Sequence, residues 1–169
     1  MLTIIFPGYS LKNKEWALEI AKEMKLGHKT LVHEWRHWQE GSFSVNYEVE
    51  KILEEIGKED EVNIIAKSVG TAVTMRLLQK LDGAIKKIIL CGIPTVSEER
   101  LELFKEALSE FPQKDILVIQ NDSDPLINFT DAREFMGKVN PEIKTVKKEG
   151  GTHNYPYPED FESFIVSGN

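Results

Sequence analysis

Cysteine is nearly absent from this 169-residue chain. Cys91 stands alone, so no disulfide can form within the chain, and a reducing, cytoplasmic setting is the simplest expectation. Long apolar runs are missing too. None approaches the ~18 residues that a membrane-spanning helix needs. The opening "MLTIIFPGYS" has only a short apolar run and no basic flank, so it reads as a first strand and not as a secretory leader. Clustered positive charge is also lacking: basic residues gather in nothing longer than a pair, and the net charge is -7. Nucleic acid is therefore excluded as an expected partner, and so is an anionic membrane. Neither G-x-G-x-x-G nor G-x-x-x-x-G-K-[ST] occurs, and "PGYSLK" after the first apolar run holds one glycine, which leaves a nucleotide-binding reading weak. Repeats, low-complexity tracts and linkers are missing as well. Residues 1–169 thus read as one domain, long enough to bury roughly 70% of its unfolded surface.

What is present is an alternation. Short runs rich in Ile, Val and Leu occur at 2–6, 29–35, 61–66, 86–91, 115–120 and 143–148, as strands buried on both faces would be. Between them lie stripes of helical period: Trp16, Ala17, Ile20, Ala21 and Met24; Val45, Val49, Ile52, Leu53 and Ile56; Val69, Val73, Leu77 and Leu81; Leu101, Phe104, Leu108 and Phe111. Shorter helices are expected over 130–138 and 159–166. Gly27, Gly57 and Gly83 fall where three helices should stop. Six β-α repeats predict a six-stranded, mainly parallel sheet between two helical layers, a three-layer α/β/α sandwich. Right-handed crossovers then bring every strand's C-terminal end to one edge, where ligands of open α/β sheets bind.

The corners at that edge carry the chemistry. "PGYS" follows the first strand, "WRHW" the second, "KSVG" the third, "GIP" the fourth, "NDSDPLI" the fifth and "EGGTHNYP" the sixth. A serine, an acid and a histidine therefore occur in that chain order, each one corner after a strand. In this the sequence resembles the small α/β-hydrolases, whose Ser…Asp/Glu…His order places the serine on a strand-to-helix elbow. The resemblance spans nearly the whole chain and implies a minimal α/β-hydrolase fold without a substantial cap, beginning at what is the third strand of the common eight-stranded form.

It also implies roles. Ser68 would be the nucleophile, His153 the general base and Asp124 the residue that orients and stabilises the imidazole, with Asp122 as the alternative acid. A nucleophile has to stand clear of its own backbone, so the elbow is a strained turn whose neighbours two before and two after are small. Ala66 and Gly70 meet that need. The N–H of Val69, at a helix start, and that of Tyr9, after the first strand, would form the oxyanion hole. "DPLI" fits the usual surroundings of the acid better than "DSDP" does; Asp115 lies at the wrong end of its strand and Asp131 inside a predicted helix. Two positions depart from the family elbow: Ala66 stands where a Gly is usual, and Lys67 where a His is common. Trp35, Trp38, Lys67, Pro94 and Leu126 are candidates for the substrate pocket.

The expected activity is hydrolysis of short-acyl carboxylic esters through an acyl-enzyme, with a small-molecule ester as partner and no cofactor. Thioesters and peptides share the same tetrahedral chemistry. A different class of function is an interaction module that keeps the fold without turnover. Taken singly, each residue has a plainer explanation: Ser68 as a helix N-cap, Asp124 as a turn residue, His153 as a structural histidine. Their joint order is what favours catalysis. His33 and His37 sit four apart, but in a predicted strand with no further ligand nearby, so a metal site is not expected. Cys91 ends a buried strand and reads as core.

Overall fold

The computed structural model describes residues 1–81 and 83–167. Six strands form one sheet in the order β2-β1-β3-β4-β5-β6: β1 (Leu2–Phe6), β2 (Lys29–Val32), β3 (Val62–Lys67), β4 (Ile85–Cys91), β5 (Ile116–Asn121) and β6 (Lys144–Lys148). Every pairing is parallel. The helices are α1 (Lys12–Glu23), α2 (Val45–Ile56), α3 (Val69–Leu78), α4 (Glu98–Leu108), α5 (Phe129–Val139) and α6 (Pro158–Val166).

Strand side chains alternate between two cores, as a period of two requires. Ile4, Phe6, Ile64, Ala66, Ile88, Leu90, Ile116 and Val118 pack under α2, α3, α4 and α5. Ile5, Ile65, Ile89, Cys91, Leu117 and Ile119 pack under α1 and α6, against Trp16, Ile20, Phe161 and Ile165. Both faces of the central strands are thus covered, which is why their sequences read as unbroken apolar runs. β2 and β6 are the sheet edges.

The winding reverses between β1 and β3. The chain leaves β1 for β2 on one side and then returns across to β3 on the other. That reversal leaves a crevice between the C-terminal ends of β1 and β3, where α/β sheets of this kind hold ligands. Pro7-Gly8-Tyr9 and Ser68 are the residues that border it.

The alternation of strands and helices agrees with the sequence, and three local expectations need correction. The second strand is shorter than 29–35 and stops at Val32. Beyond it, His33 turns inward, 1% exposed, to pair with Glu48 (3.0 Å) and Glu55 (2.8 Å) of α2. Gly27 does not cap a helix: α1 ends at Glu23, and Met24 takes an extended conformation that buries its side chain at the end of the apolar stripe. Leu81 and Gly83 lie past α3, which stops at Leu78. Gly57 does cap α2, at φ 59°.

Gly70 shows how closely α3 rides on β1. A Cβ there would stand 2.8 Å from both the Cβ and the carbonyl oxygen of Phe6. Gly137, exposed near the end of α5, has nothing within 4 Å. Gly70→Ala is therefore expected to destabilise the fold by ~1–3 kcal/mol through overpacking, whereas Gly137→Ala should stabilise it by up to about 1 kcal/mol by removing backbone entropy from the unfolded chain. Urea unfolding midpoints of the two variants check this; equal shifts would refute the close approach.

Candidate active site

Ser68 joins β3 to α3 with φ 55° and ψ -118°. Among the described residues it is the one non-glycine at positive φ. Such a conformation costs on the order of 1–3 kcal/mol and persists only where its surroundings enforce it. Here its N–H donates to the Cys91 carbonyl (3.0 Å), and its carbonyl accepts from the Thr71 N–H (3.0 Å) and the Thr71 hydroxyl (2.7 Å). The Ser68 side chain does not cap α3. The ordinary reason for a serine at a helix start is thereby removed, and its hydroxyl is left free at the crevice. Ala66 is fully buried, and Gly70 meets Phe6 as described, so small residues are needed on both sides of the turn.

Asp124 and His153 meet directly. The Asp124 Oδ2 lies 2.6 Å from His153 Nδ1, and the carboxylate is fully buried. Its Oδ1 accepts the N–H of Leu126 at 2.8 Å, and Oδ2 also accepts the hydroxyl of Tyr155 at 2.5 Å. A buried carboxylate with three donors is well compensated for lost solvent. Asp122, the alternative acid, is exposed, and its N–H is held by the Lys148 carbonyl. The geometry thus pairs His153 with Asp124.

The segment that carries His153 is clamped. Asn121, the last residue of β5, donates from Nδ2 to the carbonyls of Thr152 (2.8 Å) and Asn154 (2.7 Å), one on each side of the histidine. Its Oδ1 accepts from the Tyr157 hydroxyl at 2.6 Å. The carbonyl of Tyr155 accepts from the Trp16 indole at 3.0 Å. Gly92 admits the two rings: a Cβ there would come 2.5 Å from Tyr155 Cε2 and 2.9 Å from His153 Cε1. Gly92 directly follows Cys91, whose carbonyl holds Ser68, so the imidazole and the elbow occupy neighbouring corners. His153 Nε2 is buried and has no partner among the described residues; no hydrogen bond joins it to Ser68. Such contacts are often long in ligand-free sites and tighten on binding.

Val69 opens α3, so its N–H has no helical acceptor one turn back. Tyr9 lies on the neighbouring corner, and its carbonyl accepts from His37 Nε2 (2.7 Å) and Trp38 Nε1 (2.8 Å). Trp35 is not a pocket residue. Its ring is fully buried, and its Nε1–H is shared between the carbonyls of Pro7 and Gly8, each 3.2 Å away. Trp35 and Trp38 together fasten the loop after β1 through the carbonyls of Pro7, Gly8 and Tyr9. His33 and His37 do not converge, since the glutamates occupy both nitrogens of the first and Tyr9 one nitrogen of the second. Pro94 is half-buried on its corner and Leu126 is 53% exposed. Cys91 is core, and burial pushes its thiol up to about 12, out of reach of redox or metal chemistry near neutrality.

Lys67 is buried beside Ser68, and its ammonium donates to Asn13 Oδ1 at 2.6 Å. Burial lowers its pKa, partly opposed by Cys91 and Asp124. A cleft of about 490 Å³ lies alongside, lined by Lys67, His153, Asn13 and Trp16 among others. Sequence reasoning does not find Tyr155, Asn121 or Asn13. The one available signal is the spacing of "HNYPY", which puts two tyrosines within a turn of the histidine.

No protein-family model matches the chain, and no curated protein sequence does. Solved structures do. An α/β serine hydrolase homologue from Coxiella burnetii superposes with a TM-score of 0.72 at 19% identity, over 98% of this chain and 83% of that one. XC6422 from Xanthomonas campestris, described as an α/β serine hydrolase without lid, gives 0.66 at 16% identity, over 96% and 78%. The ydeN gene product of B. subtilis gives 0.64 at 14% identity, over 98% of each chain. At these identities the likeness is one of architecture: the chain has the α/β-hydrolase fold in a minimal, six-stranded form without a substantial cap.

Proposed function

We propose that the protein is a serine hydrolase acting on short-acyl carboxylic esters. The observation that carries this reading is the buried Asp124–His153 pair at 2.6 Å, with the far imidazole nitrogen unpartnered, on the corner beside a strained, uncapped Ser68. Ser68 Oγ attacks the ester carbonyl carbon while its proton passes to His153 Nε2. The carbon–oxygen bond of the tetrahedral intermediate then breaks, and Nε2 returns the proton to the departing alcohol. Water attacks the acyl-enzyme by the same route in reverse, releasing the carboxylic acid and restoring Ser68. The N–H groups of Tyr9 and Val69 stabilise the oxyanion in both halves. The absence of a substantial cap favours small, water-soluble esters over long acyl chains. A reducing cytoplasm remains the expected setting.

A fluorophosphonate probe is expected to label the wild-type protein at Ser68 and to fail on Ser68→Ala, read by mass spectrometry of the intact chain. A folded wild type that takes up no probe would leave only a non-catalytic role for the fold. Asp124→Asn should lower kcat by ~10⁴, because the imidazole loses the group that sets its tautomer and stabilises its cation; Asp122→Asn should leave it near wild type. Steady-state kinetics on a nitrophenyl acetate decide between them.

Tyr155→Phe generates a third expectation. Its hydroxyl draws electron density from the same carboxylate oxygen that holds His153. Without it the buried carboxylate loses one of its three donors, so Tyr155→Phe should destabilise the fold by ~1–3 kcal/mol, read as a lowered urea midpoint. An unmoved midpoint would show that the hydroxyl contributes nothing to holding Asp124.

A further inference from the structure

Lys67 presents a physical problem that the hydrolytic cycle does not use. It is 3% exposed at the end of β3, immediately before the candidate nucleophile. Burying an ammonium is costly unless an opposite charge compensates it. Among the described residues no carboxylate bonds to it; Asp124 acts on it only through space, its oxygens being taken by His153, Tyr155 and Leu126. Its partners are a neutral amide, Asn13 Oδ1 at 2.6 Å, and the face of the Trp16 ring, 4.8 Å from the ring centroid. Among the described residues Asn13 is the one hydrogen-bond acceptor of the ammonium, and the lowered pKa agrees with a cation short of compensation.

The position adds a direction. Lys67 and His153 line the same cleft of about 490 Å³, so a molecule seated in it lies beside both residues, and Lys67 directly precedes Ser68 in the chain. Glu15, Glu19 and Glu23 of α1 line the cleft too, but all three are exposed and solvated. Lys12 is exposed like them, while Lys67 is buried. An anion placed there would gain a desolvated, charge-assisted bond, the strongest kind open to it. A hydrocarbon side chain at 67 would fill the same space without the desolvation cost.

We propose that the missing counter-charge comes with the substrate: the cleft accepts carboxylic esters whose acyl chain ends in a carboxylate, that is, monoesters of small dicarboxylic acids, with Lys67 binding the free carboxylate. This rests on the esterase reading above and gives it a substrate class. Asn13 and Trp16 hold the ammonium in place when the cleft is empty, and the incoming carboxylate completes its coordination.

The test uses two 4-nitrophenyl esters of equal chain length, the hexanoate and the hydrogen adipate. The wild type should prefer the adipate by about tenfold or more in kcat/KM, the worth of one charge-assisted bond. In Lys67→Met the preference should collapse to unity or invert, since the exposed glutamates then act unopposed; Lys67→Arg should retain part of it. A wild type that hydrolyses both equally, or a Lys67→Met protein that keeps the preference, overturns the proposal. Calorimetric titration of free adipate into Ser68→Ala protein reads the same site without turnover and without altering Lys67. Binding there that is lost in the Ser68→Ala, Lys67→Met double variant supports the anion site even if the probe fails to label Ser68, in which case the esterase reading falls and the site stands. No uptake of adipate by Ser68→Ala overturns the site, whatever the probe shows.

Discussion

Phe6 pairs with Ala66, and Ala66 pairs with Leu90, so β1, β3 and β4 end nearly level. The chain exits that ladder in three different ways at almost the same height. After β1 it makes a loop, after β4 it turns through Gly92 at φ 63°, and after β3 it has to enter a helix at once. The bond from the Ser68 N–H to the Cys91 carbonyl continues the ladder one step past the last paired residues. That bond forces the elbow. A residue still tied to the sheet on one side and already opening a helix on the other has few conformations to choose from, and the one it adopts is unfavourable for an L-residue. The strain is held by parallel pairing across six strands, not by anything local to the serine.

Around the elbow, polar groups fix the histidine and the loop after β1 through long-range bonds. Asn121 grips the backbone on both sides of His153, Tyr155 shares its carboxylate, and Trp35 and Trp38 hold three successive carbonyls of the Pro7–Tyr9 loop. Buried polar networks of this kind are useful only when complete, since each unpaired member costs more than a pair gains. The exceptions then become informative. Among the described residues, His153 Nε2 and the incompletely coordinated Lys67 are where the network stops, and the two residues line the same cleft.

The fold was largely legible in the sequence because its rules are local: apolar runs, helical stripes and their alternation each depend on residues within a turn or two. The elbow was legible for the same reason, since Ala66, Ser68 and Gly70 report one tight turn. Of the two acids in "NDSDPLI", Asp124 is the one that pairs with His153. What could not be read were features settled by partners far along the chain. β2 stops at Val32 because glutamates of α2 recruit His33, and Trp35 leaves the pocket because carbonyls of residues 7 and 8 accept its indole. The sequence carries no signal for the roles of Asn121 and Tyr155: their positions relative to His153 exist only once β5 and the last loop are side by side. Gly27 misled because a buried Met24 sets the end of α1 earlier than the glycine does.

The sheet's outer strand has a consequence of its own. β6 pairs with β5 along one side, and among the described residues no strand pairs with its other side. An unpaired edge invites a second chain to extend the ladder. Its sequence, "KTVKK", places the exposed Lys144 and Lys147 along that border, while Lys148 is paired with Asp160, and two copies docking edge to edge would bring the exposed ammonium groups together. Like-charge repulsion at the border opposes growth into fibres, so the molecule can keep a fully parallel, apolar interior without becoming a template for its own aggregation.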